Sequence, residues 1–106
     1  MPVSDSFLDF ILDQLASWGG VSSRKMFGGV GLFREGKIFG LIADDVVYLK
    51  VDDSNRDEFE AAGSEPFKPF PDKPNTMSYY EVPADILDES GSFVAWAQKS
   101  LAIQFR

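Results

Sequence analysis

The sequence contains no cysteine and no histidine. Without cysteine there can be no disulfide, no thiolate nucleophile and no thiolate-bound zinc. Without histidine the commonest general base at neutral pH and the commonest metal ligand are both missing. Serine–histidine and cysteine–histidine catalysis are therefore excluded, while carboxylate-based catalysis remains open. No apolar run approaches the ~20 residues needed to cross a bilayer as a helix. The start, "MPVSDSFLDF", has no basic leader before an apolar stretch, so a cytoplasmic location is expected. Positive charge is scarce: ten Lys and Arg stand against 17 Asp and Glu, a formal net charge of −7. Binding to a nucleic-acid backbone depends on neutralising phosphates with basic side chains, so this balance disfavours it.

What is abundant is aromatic carbon. Ten phenylalanines contribute to 14% aromatic content, which favours a packed aromatic core over a disordered chain. With 106 residues the chain fits a single domain, 1–106.

"SDSFLDFILDQLASWGG" reads as a helix, since Leu8, Ile11, Leu12 and Leu15 follow the i, i+3, i+4, i+7 rule. Ser4 or Ser6 would cap it, and Gly19-Gly20 would end it. "KMFGG", "VGLFRE", "KIFGLIA" and "VVYLKVD" then read as short strands, with turns at Glu35-Gly36 and Asp44-Asp45. Such short connections leave room only for hairpins, so the sheet should be an antiparallel meander. In the last run Val47, Leu49 and Val51 point one way and Val46, Tyr48 and Lys50 the other, predicting one core face and one wet face. "SNRDEFEAAG" is a short helix with Ser54 as its expected cap and Gly63 as its stop. "SEPFKPFPDKPN" holds four of the six prolines and reads as an extended loop. "TMSYYEVP" is one more strand, Pro83 opens a helical segment, and "SFVAWAQKSLAIQF" forms the last helix. The fold class is thus α+β: about five antiparallel strands, with an N-terminal, a short middle and a C-terminal helix packed on them.

The glycines Gly28, Gly29 and Gly31 raise the question of a phosphate cradle. A P-loop needs a helix amino end and a Lys-Ser/Thr pair after its glycines. Here Leu32-Phe33-Arg34 follows, then a turn and another strand. The glycines therefore read as bend points of a twisted sheet. Gly40 would leave room for a neighbouring aromatic.

"RKMFGGVGLFREGKIFGLIADDVVYLKVD", "NRDEFEAAG", "PFKPF" and "MSYYEVP" through "ILDESGSFVAWAQKSL", in that order, resemble the TfoX/Sxy amino-terminal domain family. The resemblance implies an antiparallel sheet with packed helices. It also implies a bacterial regulator-like domain with no established catalytic activity or cofactor. The family's named members regulate natural competence genes, act with a transcription factor and carry a second, carboxy-terminal domain. This chain leaves no room for that domain, so a stand-alone one is expected.

Between Arg24 and Lys50 lie five basic residues, Arg24, Lys25, Arg34, Lys37 and Lys50, against three acids. This segment is net positive inside an acidic protein and is the candidate contact for an acidic partner. Tyr79 and Tyr80 are adjacent in a strand and must face opposite ways, so one of them could stand exposed as an interface anchor; Tyr79 is the candidate. Met77-Ser78-Tyr79-Tyr80-Glu81 could line a pocket, while Phe67, Pro69, Phe70 and Pro71 read as a docking loop or, the favoured reading, as a plug of the sheet edge. Trp18 and Trp96 sit on helix faces and read as core. Asp44-Asp45 and Asp52-Asp53 read as turn chemistry without the spaced ligands of a calcium loop. No catalytic, cofactor or metal residue is assigned. The expected partner is a protein, with a homodimer through a sheet edge or helix as an accompanying expectation. Direct nucleic-acid binding and a small-ligand pocket or weak enzyme are the alternatives.

Overall fold

The computed structural model describes residues 3–26, 28–67 and 78–105. Five strands form one antiparallel sheet in chain order: β1 (Val21–Met26), β2 (Gly29–Arg34), β3 (Lys37–Ala43), β4 (Val46–Lys50) and β5 (Tyr79–Glu81). The helices are α1 (Asp5–Gln14), α2 (Arg56–Ala61), α3 (Ala84–Asp88) and α4 (Ser90–Ile103). The expected α+β meander is what the chain forms.

Two hairpins show why the meander is tight. Glu35 and Gly36 have φ of 54° and 76°, and Asp44 and Asp45 have 53° and 57°. Two successive left-handed residues match the right-handed twist of the flanking strands. Gly28, at φ 77°, stands between the paired residues Met26 and Gly29. The run "KMFGG" is therefore divided: its first residues end β1 and its last glycine begins β2. The sequence offered a turn there only through glycine, without the Asp-Gly or Asn-Gly pair that marks such turns.

The glycines on β2 and β3 serve close approach. A Cβ on Gly29 would lie 2.5 Å from the Ile42 carbonyl oxygen, and one on Gly40 2.8 Å from that of Tyr48. Gly40 thus admits a neighbouring backbone where an aromatic ring was expected. At Gly31 a Cβ would meet Met26 Sδ at 2.5 Å and the Phe33 ring at 2.8 Å. β2 runs on from Gly29 to Arg34 and turns into β3, so no helix begins after these glycines.

One face of the sheet carries the main core. Val30, Leu32, Ile42, Val47 and Leu49 pack there with Ile11 and Leu15 before the sheet and Phe93, Ala97 and Leu101 of α4. The register slips between Leu32 and Phe33, so that β3 supplies an extra residue. Such a bulge re-aims a side chain. Phe39 consequently joins the main core, where Trp18 packs edge-on at 5.3 Å. Gln104 Nε2 donates to the Ile38 carbonyl beside the bulge at 2.7 Å.

Three local readings differ from the expected ones. α1 stops at Gln14, five residues before Gly19, and turns carry the chain to Trp18. The Gln14 carbonyl accepts from Ser90 Oγ at 2.6 Å while its side chain donates to the Leu87 carbonyl, so tertiary bonds take over at the helix end. α2 starts after Asn55, not Ser54; Asn55 is 2% exposed, accepts from the Asp52 N–H and donates to the Lys50 carbonyl. Finally, the sheet's second face is only partly wet. Ala43, Phe67 and Tyr79 are buried on it, with Leu41 and Tyr48 packed alongside. The segment Glu65–Phe67 returns along β5, where Phe67 N–H donates to the Tyr79 carbonyl and Glu81 N–H to that of Glu65. That return sets Phe67 against Tyr48, 4.6 Å between ring centroids.

Candidate functional site

The five basic residues of the net-positive segment sit on two faces of the sheet. Arg24 lies opposite Gly31 in the β1–β2 register, on the outer face, with its guanidinium carbon 5.2 Å from the Phe33 ring centre. Lys50 lies opposite Tyr79 on the same face, three strands away, with its ammonium 5.3 Å from the Tyr79 ring. Lys25 pairs with Val30 and therefore belongs to the helix-bearing face. Arg34 is half-buried on that same side: its Nε donates to the Gly19 carbonyl at 2.8 Å and its guanidinium lies 4.6 Å over Trp18. It also pairs with Glu35 at 3.2 Å. Lys37 lies opposite Arg34 at the hairpin end and is exposed.

These placements sort the residues by task. Arg34 fixes the turn after α1 to the end of β2. Half-buried Lys50 covers an aromatic cluster, and its carbonyl accepts from Ser100 Oγ at 2.7 Å. Arg24, Lys25 and Lys37 remain as exposed cations, and among the described residues no ion pair engages them. Arg24 and Lys25 are neighbours on β1, where Ser22 and Ser23 are exposed as well.

Tyr79 is 6% exposed, so no aromatic anchor stands free at that position. Burial raises its phenol pKa above the ordinary value. Tyr48 is raised too, first by burial and then by the charges of Glu81 and Asp44. Tyr80 faces the helices and packs 5.9 Å from Phe59, which in turn meets Trp96 at 4.6 Å. The two tyrosines thus do face opposite ways, and both pack. Pro69, Phe70, Pro71 and Met77 lie outside the described residues. Among the described residues, Phe10 and Phe105 are the large apolar side chains that stand exposed.

The two edges of the sheet differ. β5 is flanked by Glu65–Phe67, with Pro66 bridged to Tyr80. β1 pairs only with β2 among the described residues. This asymmetry was not legible in the sequence. The exposed serines and adjacent Arg-Lys of "VSSRKM" were its available signal, in a run that lacks the alternation of a strand with one buried face. Among the described residues no group of three acidic side chains could hold a metal ion, and no helix is long and apolar enough to cross a membrane.

A five-stranded antiparallel meander with its helices on one face, and with a basic edge strand that pairs only with β2 among the described residues, defines a small α+β domain. The chain belongs to the TfoX N-terminal domain family, whose model matches residues 13–103. It is 42% identical over 50 residues to DNA transformation protein TfoX1 of Aliivibrio fischeri. That alignment covers 47% of this chain and 24% of the length of TfoX1, so the two share a segment and not a whole protein.

Proposed function

We propose that this chain is a non-enzymatic regulatory domain that works by contacting another protein. The observation that carries this reading is the pair Arg24 and Lys25, exposed on an edge strand and without ion pairs among the described residues, in a chain of net charge −7. Membership of the TfoX N-terminal domain family supports a regulatory role. The name of TfoX1 supports DNA transformation as the regulated process. Direct binding to a nucleic-acid backbone would call for many cations on one surface. The division of Arg24 and Lys50 from Lys25 and Arg34 across the sheet weighs against it.

The test is affinity capture from the cells that make the protein, with and without nuclease, using the wild type and an Arg24→Ala/Lys25→Ala variant. A defined protein should co-purify regardless of nuclease, and the double variant should lose it while its melting temperature stays unchanged. Equal capture by the variant, or captured material that nuclease removes, overturns the reading.

A further inference from the structure

We infer that β1 is a docking strand for an extended acidic peptide segment, which adds to the sheet as a sixth strand. This inference rests on the protein-contact reading above and specifies its surface and its ligand chemistry.

An edge strand directs half of its backbone N–H and C=O groups away from the sheet, and these can pair with an incoming chain. This sheet has two edges, and the molecule treats them differently. At β5 the chain's own segment Glu65–Phe67 supplies backbone partners: Phe67 N–H donates to the Tyr79 carbonyl at 2.7 Å, and Glu81 N–H to the Glu65 carbonyl at 3.1 Å. At β1 none of the described residues does so. β1 has six residues, an ordinary strand length, and contains neither proline nor a bulge.

Charge selects the occupant. Residues 21–34, which include both strands nearest this edge, contain Arg24, Lys25 and Arg34 and no acidic residue. The opposite edge carries Glu65 and Glu81. Arg24 and Lys25 are consecutive and so project to opposite faces of the sheet. A peptide strand beside them can therefore place an acidic side chain on either face within reach of a cation. Opposite charges on neighbouring strands are favourable and like charges unfavourable. The same rule disfavours a second copy of this chain, because pairing β1 with β1 would bring two Arg-Lys pairs into one narrow ribbon. The overall charge of −7 opposes an acidic ligand only weakly at β1, since residues 21–34 hold no acidic side chain and exposed charges are screened beyond about 8 Å at physiological salt.

The probe is a capped peptide of about eight residues, a length matched to common strands, with two consecutive glutamates at its centre and valine and threonine elsewhere, so that one carboxylate lies on each face. It is titrated into the whole isotope-labelled chain while amide shifts are followed. The shifts should concentrate in Val21–Met26 and its β2 partners. An Arg24→Glu/Lys25→Glu variant with an unchanged melting temperature should bind roughly tenfold more weakly or less, because reversal turns attractions into repulsions. The same peptide with lysine for glutamate, or with every backbone nitrogen methylated so that neither edge can donate, should not bind. No shift at β1, shifts centred on another element, or equal binding of the methylated peptide overturns the proposal. So does tighter, β1-centred binding of a short DNA duplex, or concentration-dependent dimerisation that protects residues 21–26. Failure of the peptide alongside a captured protein that still depends on Arg24 and Lys25 sinks strand addition while leaving the protein-contact reading intact.

Discussion

Gly29 shows how a single hydrogen in place of a side chain sets the geometry of this sheet. Its missing Cβ would stand 2.5 Å from the backbone oxygen of Ile42, which cannot rotate away as a side chain could. Gly29→Ala should therefore destabilise the fold by about 1–3 kcal/mol, the usual cost of overpacking. Urea unfolding monitored by tryptophan fluorescence would check it, and a midpoint equal to the wild type would refute the close-approach account. Gly29 was legible as structural from the sequence, because no helix could follow it. Which atom it makes room for was not legible, since Ile42 lies on another strand. Asn55 is a similar case. Local pattern favoured Ser54 as the cap, but the buried amide of Asn55 is used by backbone groups at Asp52 and Lys50. Only the folded chain brings the Lys50 carbonyl to it.

At the scale of elements, alternation in β4 correctly assigned Val47, Leu49 and Val51 to the core. It also assigned Tyr48 to water, and there the return of Glu65–Phe67 intervened. The aromatic contact between Phe67 and Tyr48 covers part of the second face, so Phe67→Ala should cost about 3 kcal/mol, in the range for truncating a buried phenylalanine. Chemical denaturation measures that loss. A ΔΔG near zero would mean that the segment merely rests on the sheet. The end of α1 follows the same logic. Glycine signals pointed to residue 19, yet the bonds of Gln14 to Ser90 and Leu87 end the helix earlier. Helix propensity has no knowledge of such partners. The α1 start, by contrast, was local: Ser4 Oγ accepts from the Phe7 N–H. Even there tertiary structure adds a tie, because the Ser4 N–H and hydroxyl both donate to Asp45 in the β3–β4 turn, at 2.8 and 3.0 Å.

For the molecule as a whole, the two tyrosines of the outer cluster link stability to alkaline pH. Tyr48 and Tyr79 both have phenol pKa values raised in the folded state, chiefly by burial. The neutral phenol is the form the fold prefers. Their contribution is fully present below the unfolded value of about 10 and is lost as pH rises through the raised folded value. Thermal melts across pH 8 to 11 should thus decline less steeply at the alkaline end for Tyr48→Phe and Tyr79→Phe than for the wild type. Parallel declines would show that other groups govern the loss. The same scale decides the contact surface. Five basic residues crowd into residues 24–50 of the sequence, yet the folded sheet separates them by face, uses Arg34 to hold a turn, and leaves Arg24, Lys25 and Lys37 exposed.

The sequence by itself determined the absence of histidine and cysteine chemistry, the α+β class, the hairpin order and the structural character of the glycines. These follow from composition and from interactions between residues a few positions apart, which a linear pattern records. Only the tertiary structure decided that Phe39 turns inward at a bulge, that Phe67 covers Tyr48 and that β5 is flanked by Glu65–Phe67 while β1 pairs only with β2 among the described residues. Each depends on segments distant in the chain meeting in space, and no periodicity within one segment encodes what will arrive beside it.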